Sequence, residues 1–209
     1  MIFQNRIEAG KKLSHKLSKY QATKNLIVLG IPRGGIIVGK QLSQALDCPL
    51  DIIVTKKIGA PGNSELAIGA VGVVGKPVID EELAERVGAD ENYLKSKILN
   101  LKSEIKRREK IFRRDKLPLN LKDKTVILTD DGVATGATMM AAVEIARQQN
   151  PKKIIVAVPV IAKDTLEKIE KLADEVVYLD APEMFFAVGQ FYQDFSQITD
   201  EEVRKILSN

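Results

Sequence analysis

Hydrophobic positions along the chain follow two periods, and the alternation between them outlines the fold. Short runs at Leu26 to Leu29, Asp51 to Thr55, Val126 to Leu128, Lys153 to Val158 and Glu175 to Leu179 have the length and β-branched content of strands buried in a parallel sheet. Between them the period lengthens. Residues 5 to 20 repeat Gly10, Leu13, Leu17 and Tyr20 at helical spacing against a lysine-rich face, which predicts a helix covering the sheet. Helical composition also follows Gly35 to about Leu46, and runs from Ala137 to Gln149 and from Thr165 to Ala173. This order predicts a three-layer α/β domain with a central, mainly parallel five-stranded sheet and right-handed crossovers. Leu66 to Val74 reads as a strand making an edge hairpin with Lys76 to Ile79. Two stretches stand outside the alternation. In residues 80–116, Leu94, Ile98, Leu101, Ile105 and Phe112 predict a long amphipathic helix from about Asp90 to Arg114, a helical insertion in one domain. Residues 181–209 hold five of the ten Phe and Tyr residues and end in a helix from Asp200 to Leu207, which marks a small C-terminal subdomain.

Two strand-to-helix turns carry the candidate chemistry. The segment Val126 to Thr138 is an apolar strand, two adjacent carboxylates and a turn of small and hydroxyl residues opening a helix. The first N–H groups of a helix lack partners within it and lie at the positive end of its dipole, so a loop without bulky side chains admits a phosphate. Ala134, Thr135, Gly136, Ala137 and Thr138 meet that requirement. Asp130 and Asp131 would repel a phosphate at close range. Ionised carboxylates accept hydrogen bonds only, and a vicinal pair of sugar hydroxyls supplies two matching donors. The other turn, Gly30 to Gly35, offers Arg33, whose planar fork fits phosphate oxygens, and Gly34 and Gly35, which let backbone N–H groups approach a second anion. Gly34, Gly39 and Lys40 nearly fit a nucleotide P-loop, but Gln41 stands where Ser or Thr is needed.

With these residues in register, Val126 to Thr138 resembles the thirteen-residue phosphoribosyl pyrophosphate (PRPP) signature of type I phosphoribosyltransferases, and GIPRGG resembles that family's pyrophosphate loop. The resemblance spans roughly residues 25 to 180. It implies that Asp130 and Asp131 hold the ribose hydroxyls, that residues 134 to 138 cradle the 5′-phosphate, and that Arg33, Gly34 and Gly35 meet pyrophosphate across a cis Pro32 to Arg33 peptide. A mobile loop from Lys56 to Glu65 closes the site in such enzymes, which makes Lys56 and Lys57 candidate pyrophosphate ligands and Glu65 a candidate base contact; a solvated lysine pair is the alternative. Phe186 and Val188, within Phe186 to Gly189, resemble the FxVG segment of a C-terminal hood that stacks on the base, although aromatic clusters equally form small cores. The implied reaction is displacement of pyrophosphate from PRPP by a ring nitrogen, with Mg²⁺ as cofactor, indirectly linked to Asp130, and with no catalytic His or Cys. The alternative is a PRPP-binding regulatory module without turnover, with RNA binding left open; the 25 residues before Leu26 are too few for a winged helix-turn-helix. Enzymes for hypoxanthine and guanine resemble this chain at the signature but carry a third carboxylate where Ala134 stands, and an acid where Gln193 stands. Ala-Thr-Gly is more similar to the adenine enzymes, and an orotate-like or other nitrogen heterocycle stays open.

Composition narrows the remainder. The 209 residues are 44% hydrophobic and 29% charged, enough to bury a single core. A net charge of +4 suits an anionic substrate without requiring nucleic acid. The single cysteine, Cys48, excludes an internal disulfide and a cysteine-based zinc cluster, and the single histidine, His15, lies in a polar helix-like run and reads as a surface residue. Arg6, Glu8, Lys11 and Lys12 break any signal-like run, so a cytoplasmic protein without a membrane span is expected. Lys106, Arg107, Arg108, Lys110, Arg113 and Arg114 give the long helix a basic face. Without interleaved aromatics this reads as a face packing on the body or on a twin subunit in a homodimer or higher homo-oligomer, and not as a nucleic-acid site.

Overall fold

The computed structural model describes residues 1–73, 75–113 and 116–208. The expected ends of the strand at Val74 and of the long helix at Arg114, and residue 209 of the C-terminal stretch, lie outside the described residues. A five-stranded parallel sheet forms the centre, in the order β2 (Leu50–Ile52), β1 (Leu26–Gly30), β6 (Thr125–Thr129), β7 (Lys153–Val160) and β8 (Glu175–Asp180).

The two faces of this sheet are read out by alternate residues. Ile27, Leu29, Val126, Leu128, Ile154, Val156 and Val158 point to α5 (Ala137–Arg147) and α6 (Lys163–Glu170), where they meet Met139, Ala142, Val143, Leu166 and Ile169. Leu26, Val28, Ile127, Ile155 and Ala157 point to α1 (Arg6–Lys16) and α2 (Gly34–Leu46), where they meet Leu13, Val38, Leu42 and Leu46. Every strand residue of β1 and β6 is buried, which is why their sequences run apolar without alternation. The fold is therefore the three-layer α/β arrangement.

A second sheet contains β3 (Thr55–Ala60), β4 (Asn63–Gly72) and β5 (Val78–Ile79), all antiparallel. This corrects the expectation of a loop over residues 56–65: Lys56 to Ala60 and Asn63 to Glu65 are strand, and only Pro61 and Gly62 turn. Glycine and asparagine gave that stretch a loop composition, but Ile58, Ala60 and Ile68 find an apolar cover in α3 (Glu81–Arg86), α4 (Glu91–Arg113) and α7 (Asp200–Ser208), through Ala84, Leu101, Ile105 and Val203. Burial on one face is enough to override weak strand propensity. Tyr93 on α4 adds a hydrogen bond from its hydroxyl to the Gly59 carbonyl, 2.7 Å. Arg113 is not part of a solvated basic face: it is buried against Asp51 (2.9 Å) and the Ile52 carbonyl (2.6 Å), while Lys106, Arg107, Arg108 and Lys110 are exposed.

The N-terminal segment meets the stretch around Tyr192. Phe3 forms a parallel bridge with Tyr192, and its N–H donates to the Phe191 carbonyl at 2.8 Å. Phe3, Ala9, Val160, Phe191 and Tyr192 make a small core there. Among the described residues no helix is long and apolar enough to cross a membrane.

Candidate functional site at the β1 and β6 strand ends

β1 and β6 are hydrogen-bonded neighbours, yet α2 leaves β1 on one face of the sheet and α5 leaves β6 on the other. Their connections diverge at the carboxyl ends, which opens the crevice where parallel α/β sheets receive ligands. The two candidate turns line this crevice, and they touch. A Cβ on Gly34 would lie 1.9 Å from Asp131 Oδ2, and one on Gly35 would lie 2.6 Å from the Thr129 carbonyl oxygen. Only glycine fits at both positions, and the neighbour that demands it is the acid pair as much as any anion. The Pro32–Arg33 peptide is cis.

Asp130 and Asp131 sit where β6 ends. Asp130 is half-buried and accepts a hydrogen bond from the Asp131 N–H at 2.8 Å. Burial, and then the adjacent Asp131 charge, push its carboxyl well above the usual carboxylate range. Asp131 is 9% exposed and answers its charge with Arg6, whose Nε lies 2.6 Å from Oδ2. Arg6 was not legible in the sequence as a site residue, since it stands in an unremarkable helical run. Its position follows from Asn5, whose side chain accepts the Ile7 and Glu8 N–H groups and caps α1, so that Arg6 is the first helical residue. Arg6 also donates from Nη1 to the Ser196 carbonyl at 3.0 Å and lies 3.8 Å from the Phe195 ring centroid. Tyr192 donates its hydroxyl to the Asp131 carbonyl at 2.5 Å; burial, and then Asp131, push its ionisation upward.

Beyond the acids the turn opens α5. Gly136 precedes the helix at φ 77°, and the first N–H groups of α5 have no side-chain cap. Thr135 and Thr138 are exposed, and Ala134 and Ala137 are half-buried. Thr165 on α6, itself 1% exposed, holds the turn by donating its hydroxyl to the Ala134 carbonyl at 2.6 Å. No motif in the sequence pointed to Thr165.

Other candidates are distributed differently. Lys56 and Lys57 are consecutive strand residues, so their side chains leave opposite faces of the hairpin. Lys56 pairs with Glu104 on α4 at 3.2 Å and Lys57 with Glu65 at 3.0 Å. Each lysine is thus engaged by its own acid, and Glu65 by Lys57. Arg33 faces Asp200 at 3.8 Å across half-exposed surface. Val188 packs on the signature, with a Cβ at Gly132 falling 2.6 Å from its Cγ1. Phe186 is 85% exposed and stacks on no ring among the described residues, whereas Phe185 lies beside Phe191, 4.8 Å between ring centroids. His15 is exposed, and the half-buried Cys48 thiol is pushed up to about 11 by burial and Asp47. Among the described residues no group of three His, Cys, Asp or Glu side chains could hold a metal.

A crevice at the carboxyl ends of the strands, with an acid pair and an uncapped helix N-terminus, places the chain among the α/β domains with a central parallel sheet. The chain belongs to the phosphoribosyl transferase domain family, whose model matches residues 1–196. It is 37% identical over 202 residues to a Mycobacterium tuberculosis (strain H37Rv) protein provisionally named a phosphoribosyl transferase, covering 97% of this chain and 45% of that one. The chain thus spans about half the length of the curated relatives it matches. The crystal structure of TT1426 from Thermus thermophilus superposes with a TM-score of 0.91 at 39% identity, over 99% of this chain and 98% of that one.

Proposed function

We propose that the domain binds PRPP in the crevice between β1 and β6 and transfers its 5-phosphoribosyl group to a nitrogen of a small heterocyclic base. The observation that carries this reading is the contact of the two loops: Gly34 and Gly35 stand against Asp130 and Asp131, beside the uncapped N-terminus of α5. A molecule with a diol between two phosphorylated ends matches that order of groups. In this reading Asp130 and Asp131 accept from the ribose hydroxyls, residues 134 to 138 hold the 5′-phosphate, and Arg33, Gly34 and Gly35 hold the pyrophosphate. Lys56, Lys57, Glu65 and Phe186 have no assigned part; Val188 borders the base site through Gly132.

The chemistry asks little of acid–base groups. The bond from the anomeric carbon to pyrophosphate breaks, a bond to the ring nitrogen forms, and that nitrogen's proton leaves to solvent. Catalysis comes from alignment of the two partners and from cations at the leaving group. The donor set fits a divalent cation that arrives with the substrate: Asp131 is engaged by Arg6, which leaves Asp130 and the phosphate oxygens as the available ligands. When bound there, Mg²⁺ supplies charge neutralisation to the departing pyrophosphate. Pyrophosphate release from PRPP and Mg²⁺, measured against a panel of purine and pyrimidine bases, tests the reading. Release that depends on one base supports it; PRPP binding without release for any base assigns the site to sensing instead.

A further inference from the structure

Arg6 is 8% exposed and is asked to do three things at once. Its Nε holds Asp131, its Nη1 holds the Ser196 carbonyl, and its face covers Phe195. Its Nη2 makes no hydrogen bond among the described residues, and it is not among the buried polar atoms left without partners. That atom keeps some exposure to solvent, and Arg6 lines a cleft of about 290 Å³ together with Arg33, Gly34, Phe195, Gln197 and Ile198. The cleft therefore adjoins the glycine that touches Asp131, and it carries two guanidinium groups from separate elements. The charges near them include Asp131, already paired, the exposed Asp194, which interacts with Arg6, and Asp200, 3.8 Å from Arg33 on half-exposed surface where a ligand competes easily.

We propose that Arg6 is a positioning residue for Asp131 and, through Nη2, a second cationic ligand beside Arg33 for the oxyanion that enters this cleft. The inference rests on the PRPP reading and names a residue for it from outside the two signature loops. Arginine suits the task because its rigid fork serves several acceptors simultaneously, whereas a lysine ammonium on a flexible stem serves them one at a time. The arrangement also links sites: an anion drawn onto Arg6 tightens the same group that seats Asp131 and the segment from Phe195 to Ile198.

The test compares wild type, Arg6→Gln, Arg6→Lys and Arg113→Lys by calorimetry with inorganic pyrophosphate and with PRPP, each with Mg²⁺, alongside melting curves. Arg113 forms the other buried Arg–Asp pair, at the sheet edge, and controls for lost stability alone. Loss of a charge-assisted hydrogen bond weakens pyrophosphate binding about tenfold or more in Arg6→Gln. Arg6→Lys, which keeps the charge and carries the test if Arg6→Gln does not fold, recovers only part of the affinity. Arg113→Lys melts lower and binds as wild type. Unchanged affinity in the folded Arg6 variants overturns the inference and leaves the PRPP reading standing, and an equal loss in Arg113→Lys reduces Arg6 to a stabilising contact. Wild type that binds neither ligand overturns both.

Discussion

A carboxylate buried beside another carboxylate needs a cation, and Asp131 has Arg6 for that purpose at 2.6 Å. Asp130 has no such ion pair among the described residues, and burial, then the Asp131 charge, push its carboxyl above the usual range. Asp131→Asn keeps the shape but turns an acceptor partly into a donor and leaves Arg6 buried without its counter-charge. PRPP affinity measured by calorimetry should fall about tenfold or more, the worth of one charge-assisted hydrogen bond. At Ala134 the prediction concerns selectivity. Alanine cannot exchange a proton with a purine ring nitrogen, and such help is typically worth about a hundredfold or more in rate. Hypoxanthine and guanine should therefore be poor acceptors. Turnover of either with a kcat/KM of about 10⁴ M⁻¹s⁻¹ or better, an ordinary enzymatic value, would mean that Ala134 has been misread.

Elements built from apolar runs were legible, because a strand buried on both faces writes its burial directly into β1, β6 and β7. The signature and the glycine-rich turn were legible for a different reason: each sits at the end of such a strand and opens a helix. The β3–β4 hairpin was not, since Lys56, Lys57, Asn63, Ser64 and Glu65 carry no strand pattern and are ordered by their ladder and by the cover of α4. Arg6 and Thr165 were illegible because their partners are distant in the chain, Asp131 and the Ala134 carbonyl. The phosphate turn makes a testable element. Gly136 at φ 77° faces Thr165 Cγ2, 2.5 Å from where a Cβ would stand. Gly136→Ala should cost about 1–2 kcal/mol in backbone strain alone, roughly 2–8 °C in Tm for a chain of this size. An unchanged Tm would show that the turn relaxes freely. The basic face of α4 belongs to the same scale: Arg107 and Arg108 are exposed, but Ile105 and Phe112 on the same helix are buried. Mixed-sequence RNA should bind weakly, and submicromolar binding that collapses with salt and is lost in Arg107→Ala/Arg108→Ala would reverse that reading.

At the scale of the molecule, the end of the sheet away from the crevice is tied by Glu175, which takes hydrogen bonds from Lys153 (2.7 Å), Lys19 (2.7 Å) and Tyr20. Partial burial raises its carboxyl, but these donors outweigh it and hold the group at about 2, below its ordinary 4.5. A depressed carboxyl contributes its full stabilisation above 4.5 and loses it as pH falls towards 2. Urea midpoints of wild type and Glu175→Gln should differ at neutral pH and converge across that window; a gap independent of pH would contradict the assignment. Opposite this tie, both loops, the α5 N-terminus and the Arg6 contact converge on one crevice, and the central claim is that PRPP fills it. Calorimetry of PRPP with Mg²⁺ on wild type and on Asp130→Asn/Asp131→Asn tests that claim most directly. Saturable wild-type binding that is lost in the folded double variant is the predicted result, and equal binding by both proteins would contradict it.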